Sequence, residues 1–195
     1  MAIIPTGTTK TFTTTGATTT GVTYNKIIPG KIEAESYTAY QGSIAKEATT
    51  DTGGGSNIGW LDTGEYIVYN SVNVLFDGEY TLEIRVSSPT MGGQLKINDA
   101  FGSFILVNIP NTGGWQNWVT VKTPKLFLKA GVQNLRVTII TGGFNLNWIN
   151  FNLAGLAILA SSSLSPNTTI AINAVGSVSI GGISFQIPSG FTITL

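Results

Sequence analysis

Short runs in which β-branched and aromatic residues alternate with polar ones constrain this chain more than any other feature. Tyr66-Ile67-Val68-Tyr69, Tyr80 to Val86, Gln94 to Ile97, Trp118 to Val121 and Leu135 to Ile139 all have this character. Each run is bounded by Gly, Pro, Asn or Asp, residues that end strands and make turns. Leu82, Ile84 and Val86 share one face, while Glu83 and Arg85 point the other way. A half-buried antiparallel strand requires that alternation. No stretch shows a capped 3.6-residue period, so the pattern predicts an all-β fold. Many short strands separated by turns argue for two packed sheets.

The distribution of charge divides the chain into three zones. Only 10% of residues are charged, against about a quarter in typical globular domains. All ten acidic residues lie between Glu33 and Asp99, and nothing after Arg136 is charged. Residues 1–30 are Thr/Gly-rich and read as a partly extended arm ending at the Pro29-Gly30 turn signal. Residues 31–152 carry nearly all the charge, all four tryptophans and the clear strand runs. Residues 153–195 form an uncharged extension with short alternating runs, such as Thr169 to Ile172 and Val178 to Ile180. These predict three or four short strands that need a partner edge. Uncharged flanks are unusual on a free surface. They suggest burial in an oligomer or on a larger particle; a surface solvated by hydroxyls and amides is the simpler account.

Several function classes are excluded by composition. Net charge is zero, so the electrostatic footprint of a nucleic-acid binder is missing. With no cysteine and no histidine, thiol chemistry, the commonest general base and the commonest transition-metal ligand are lost together. The most apolar stretch, Leu153 to Ala160, falls far short of the ~20 residues of a membrane helix. The Met-Ala-Ile-Ile-Pro start followed by threonines does not read as a secretory signal peptide.

Recognition of a neutral sugar calls for aromatic faces against pyranose C–H patches and amides or carboxylates at the ring edge. Trp60 follows Asn57-Ile58-Gly59, and Trp115 follows Asn111-Thr112-Gly113-Gly114. An indole beside a glycine turn suits a loop-borne site, with packing as the alternative. Trp118 and Trp148 lie in strand-like runs and read as core. In Phe144-Asn145-Leu146-Asn147-Trp148 the alternation puts two amides on the face opposite the apolar set, exposed near the Gly142-Gly143 turn. Ile32-Glu33-Ala34-Glu35 puts two carboxylates on one strand face. A hard cation such as Ca²⁺ would neutralise them; the alternative is a solvated acidic strand end beside Lys31.

Five blocks, in order, resemble family 6 carbohydrate-binding modules across residues 31–152. They are Ile32 to Glu35, Asp51 to Trp60, Thr63 to Tyr66, Asn111 to Gln116 and Gly142 to Trp148. The resemblance implies a β-sandwich jelly roll with a sugar cleft formed by loops at one edge. It implies Trp60 and Trp115 as the aromatic clamp, with Asn145 and Glu47 meeting sugar hydroxyls. It also implies a structural Ca²⁺ held by Glu33, Glu35 and Asn147, the last an amide where relatives often carry Asp.

The chain is therefore expected to bind glycans without cutting them. Glycoside hydrolysis needs two carboxylates across the scissile bond. Of the conceivable pairs among Glu47, Asp51, Asp62 and Glu65, Asp62 and Glu65 read as turn and strand-edge residues, and no Gly-x-Ser-x-Gly nucleophile motif occurs. Two contexts fit the flanks. One is a decoration or fibre subunit of a phage-like particle, oligomeric and docked on virion proteins, that adheres to surface polysaccharides from the virion or another extracellular surface. The other is a carbohydrate-binding module or adhesin segment of a glycan-degrading protein.

Overall fold

The computed structural model describes residues 25–156 and three further strand segments at 170–173, 177–180 and 183–186. In chain order the first strands are β1 (Ile27–Ile28), β2 (Gly30–Glu33), β3 (Ala39–Gln41), β4 (Ala45–Ala48) and β5 (Ser56–Gly59). The long strands follow: β6 (Tyr66–Val74), β7 (Gly78–Ser87), β8 (Gly93–Asn98), β9 (Phe104–Ile109), β10 (Val119–Leu128), β11 (Gly131–Thr141) and β12 (Asn145–Leu156). One sheet runs β1-β6-β11-β8-β9, with β3 also on β6. The other runs β10-β7-β12-β5-β4, with β2 also on β12. Residues 27–156 fold as the two-sheet sandwich that the alternating runs predict, the β-sandwich jelly roll that the resemblance implies.

Alternation explains the core. In β7 the burial pattern buries Tyr80, Leu82, Ile84 and Val86 completely and leaves Glu83 and Arg85 on the outer face. Ile67, Tyr69, Leu95, Ile97 and Val137 fill the facing side from the first sheet. Strand β9 escapes sequence reading because its outer residues are apolar as well: Phe104 and Leu106 are exposed, so Phe104 to Ile109 shows little polar alternation.

Three expectations change. The arm expected over residues 1–30 lies outside the described residues as far as residue 24, but its last part belongs to the sandwich. Ile27 and Ile28 pair in parallel with Asn73 and Val74, and Ile28 is fully buried. The second concerns the acidic motif. Strand β2 ends at Glu33, and Ala34–Ser36 forms a 3-10 turn whose Ser36 hydroxyl donates to the Glu33 carbonyl at 2.7 Å. Glu35 therefore sits on this turn and not on a strand face shared with Glu33. The third is at β12, where the register against β7 shifts between Leu146 and Trp148. This bulge adds one residue and reverses the alternation. Phe144 and Leu146 face the core before it, and Ile149 and Phe151 face it afterwards. Trp148 is thereby turned outward; it is half-buried, with the Lys31 ammonium 5.9 Å from its ring centroid. Trp118, just before β10, is also half-buried, so neither indole is core.

Beyond the sandwich, β13 (Ile170–Asn173), β14 (Ser177–Ile180) and β15 (Ile183–Gln186) pair as an antiparallel meander. This agrees with the short strands expected there. Among the described residues no helix is long and apolar enough to cross a membrane.

Candidate carbohydrate-binding cleft

At one end of the sandwich, an open cleft of about 420 Å³ is lined by Glu47, Trp60, Asp62, Trp115, Phe144 and Asn145, among others. All four residues expected to meet sugar are thus brought together. Trp60 is 58% exposed and Trp115 51% exposed, so about half of each residue is open to solvent.

Each indole is held by its backbone. Trp60 follows β5 directly, since Asn57 to Gly59 is strand and not the turn expected from sequence. The change of direction falls on Trp60 itself, whose φ is 53°. A bulky side chain in the left-handed region costs about 1 kcal/mol or more, a conformation the rest of the loop enforces. Gly143 N–H donates to Leu61 O at 3.2 Å, Gly142 N–H to Thr63 Oγ1 at 3.1 Å, and Glu65 Oε2 accepts Asp62 N–H at 3.1 Å. At Gly142 a Cβ would stand 2.2 Å from Leu61 O, so only glycine lets the two loops approach this closely. On the opposite wall the Trp115 carbonyl accepts from Ser87 Oγ at 2.5 Å and from Asn145 Nδ2 at 2.8 Å.

The floor is a closed amide and carboxylate network. Glu47 Oε1 accepts from Asn57 Nδ2 at 2.9 Å, Asn145 Nδ2 at 2.8 Å and Gln116 Nε2 at 3.1 Å. Gln116 Nε2 also reaches Asn57 Oδ1 at 3.2 Å, and its Oε1 accepts from Thr50 N–H and from the Trp118 indole N–H. The amide nitrogen of Asn145 is thus occupied, and Oδ1 remains as its acceptor beside Gly59. Glu47 Oε2 receives no hydrogen bond among the described residues. The Asn145–Asn147 pair, expected to be exposed, is instead buried at 3% and 4%, because these bonds seal it beneath the loops. Asn57 and Gln116 build this floor, and sequence reading missed them. Both lie inside the blocks that carry the resemblance, but nothing local shows that their side chains meet Glu47 and Asn145 across three strands and a loop.

Next to the floor, Asp51 is gripped by Arg85, with Nη2–Oδ1 at 2.6 Å and Nε–Oδ2 at 2.8 Å. Asn147 Nδ2 donates to Asp51 Oδ2 at 2.8 Å. The Arg85 guanidinium first, then the Asn147 amide and the Thr52 N–H, hold the Asp51 carboxyl below its usual range against an opposing cost of burial.

The residues expected to hold a cation divide. Glu33 pairs with Lys31 at 2.5 Å. Glu35 has a buried Oε2 with no hydrogen-bond partner among the described residues. Burial foremost, and the neighbouring Glu33 charge after it, push the Glu35 carboxyl up. Its turn is pinned from inside by the buried Tyr69 hydroxyl, which donates to Ala34 O at 3.1 Å. Asn147 spends its amide nitrogen on Asp51 and has only Oδ1 to offer a metal. Among the described residues no cluster of three or more acidic side chains could hold a metal. The orphaned Glu35 oxygen fits a hard cation; a full ligand set from side chains alone is not present.

Comparison with known proteins agrees with this geometry. Residues 33–153 match the carbohydrate binding module (family 6) model. The clotting factor G alpha subunit of Tachypleus tridentatus is 34% identical over 128 residues, which are 65% of this chain and 18% of that protein. The chain therefore spans less than a fifth of this curated relative. Among solved structures, the module CBM6cm-2 from Cellvibrio mixtus lichenase 5A, in complex with cellotriose, is 39% identical with a TM-score of 0.59. It covers 64% of this chain and 96% of that one. A β-1,3-glucan binding module from Bacillus halodurans is 36% identical with a TM-score of 0.57, covering 65% and 97%. Such modules bind and do not catalyse, which agrees with the expectation of a non-enzymatic domain. With the matched segment covering well over half of its length, this chain belongs to the family 6 carbohydrate-binding modules.

Proposed function

We propose that the cleft between Trp60 and Trp115 binds chains of β-linked glucose. The observation that carries this reading is the pairing of two half-exposed indoles with a preformed polar floor. A pyranose lying between the rings would place its C–H faces on the indoles and its hydroxyls toward Asn145 Oδ1 and Glu47 Oε2. Because the floor amides are already fixed by one another, little ordering accompanies binding. The glucose preference draws support from the cellotriose complex and from the β-1,3-glucan binding module.

A structural Ca²⁺ at Glu33 and Glu35 belongs to the same reading, supported by the orphaned Glu35 oxygen. The ion would offset the charge of both carboxylates and stiffen the turn at the start of the sandwich. Of the two contexts considered for the flanks, the relatives support a module carried by a larger glycan-acting protein. They lend no support to a particle subunit. Affinity electrophoresis in gels containing laminarin, barley β-glucan, xylan or no polysaccharide tests the proposal. Retardation by the glucans with none in Trp115→Ala is expected; equal migration in every gel would refute it.

A further inference from the structure

The cleft has a charge signature that its aromatic clamp does not explain. Glu47 stands at the floor and Asp62 at the rim beside Trp60, and both line the cavity. Among the described residues that line it, none is cationic. The nearest basic side chains are directed elsewhere. Lys46 neighbours Glu47 on β4 but projects from the opposite face, with its ammonium 5.1 Å from the Tyr37 ring centroid. Arg85 is committed to Asp51 by two short bonds. Asp62 is exposed, and Ser43 Oγ donates to its Oδ2 at 3.2 Å, a neutral donor that leaves its charge uncancelled in the cleft lining. Glu47 receives three neutral amide donors on one oxygen. They orient the carboxylate without cancelling its charge.

Resting on the glycan-binding reading above, we infer that Asp62 and Glu47 make this cleft a charge filter. It accepts neutral and amino-sugar glycans and rejects uronate and sulfated ones. An anionic sugar in the cleft would lie within a few ångströms of two carboxylates with no counter-charge in the lining. At low ionic strength such repulsion amounts to roughly a tenfold loss of affinity. Salt shortens the reach of the field to about 10 Å or less at 0.1 M and above, so an electrostatic filter weakens with salt where a steric one does not. Asp62 acts here as a specificity residue, since nothing in its position requires it to bond a neutral sugar.

The test is titration calorimetry with three oligosaccharides of equal length. They are a cello-oligosaccharide, the same chain oxidised to glucuronate units, and a chitosan oligosaccharide. Each is measured in about 10 mM and about 300 mM NaCl, which brackets the screening range. At low salt the uronate chain should bind about tenfold more weakly than the neutral one, and the amino-sugar chain at least as well as the neutral one. High salt and Asp62→Asn should each bring the neutral-to-uronate ratio toward one, by about threefold or more for the substitution. Glu79→Gln should leave that ratio alone, because Glu79 lies at the start of β7 while Ser87, which donates to the Trp115 carbonyl, closes it. Equal binding of neutral and uronate chains at low salt would overturn the inference, as would a ratio that neither salt nor Asp62→Asn moves. If no neutral chain binds, the glycan-binding reading fails first and the filter with it.

Discussion

The four tryptophans fall into two pairs whose surroundings differ. Trp60 and Trp115 sit on loops at one end of the sandwich, each more than half exposed and each with its backbone carbonyl accepting from a side-chain donor. Trp118 and Trp148 lie beside or within strands, half-buried, and are held through their side chains. Trp118 donates its indole N–H to Gln116, and Trp148 lies under the Lys31 ammonium. Backbone anchoring leaves about half of each side chain open to solvent, whereas Trp118 and Trp148 already spend their rings on contacts within the protein. On the proposed reading, the first arrangement serves binding and the second serves the fold.

This contrast can be broken most forcefully at the floor that joins the two. Glu47→Ala removes the acceptor shared by Asn57, Gln116 and Asn145, and Asn57 is fully buried. Loss of glycan binding together with about 2–3 kcal/mol of stability in urea unfolding is expected. Trp115→Ala separates the effects. It should lower affinity by about tenfold or more while costing under about 1 kcal/mol in stability, because half the ring is already in water. Trp148→Ala should show the reverse, with lower stability and retained affinity. Equal losses of affinity from both substitutions would erase the distinction between the pairs.

Gly59→Ala is a finer probe. The new Cβ would lie 2.8 Å from Asn145 Oδ1 and 3.4 Å from Glu47 Oε1. Because Asn145 is buried and its amide nitrogen is held by Glu47 and the Trp115 carbonyl, it can yield only by straining those bonds, so affinity should fall several-fold together with about 1 kcal/mol of stability.

The smallest effects concern the two acidic sites, which respond to pH with opposite signs. Asp51 has a depressed folded pKa, so the stability it contributes is present above its unfolded value and lost as pH falls through the folded one. Glu35 has a raised folded pKa. Its contribution is present below the unfolded value and lost as pH rises through the folded one. Calcium should therefore raise the melting temperature near neutral pH and have little effect once Glu35 is protonated. Glu35→Gln should abolish that calcium response while preserving the acid loss due to Asp51. A melting curve indifferent to calcium at every pH would remove the ion from the account.

Much of this was readable in sequence, for physical reasons. A strand buried on one face must alternate, so the runs at Tyr66, Tyr80, Gln94 and Leu135 were visible, and the Gly113-Gly114 turn marked Trp115 as loop-borne, whereas Gly59 beside Trp60 belongs to a strand. The failures share a cause as well. One extra residue at the β12 bulge reversed the alternation after Leu146 and made Trp148 look like core. The 3-10 turn at Ala34 moved Glu35 off the strand. Asn57, Gln116 and the Arg85–Asp51–Asn147 grouping depend on contacts between residues distant along the chain, which local patterns do not encode.

The central claim, that the loop pair and not the strand pair meets sugar, is open to one direct measurement. Four tryptophans give four indole N–H signals in an ¹⁵N correlation spectrum. On titration with a cello- or laminari-oligosaccharide, the Trp60 and Trp115 signals should move together along one saturating curve. Trp118 should follow weakly through Gln116, and Trp148 should stay in place. Saturable shifts centred on Trp148, with Trp60 and Trp115 unmoved, would contradict the account.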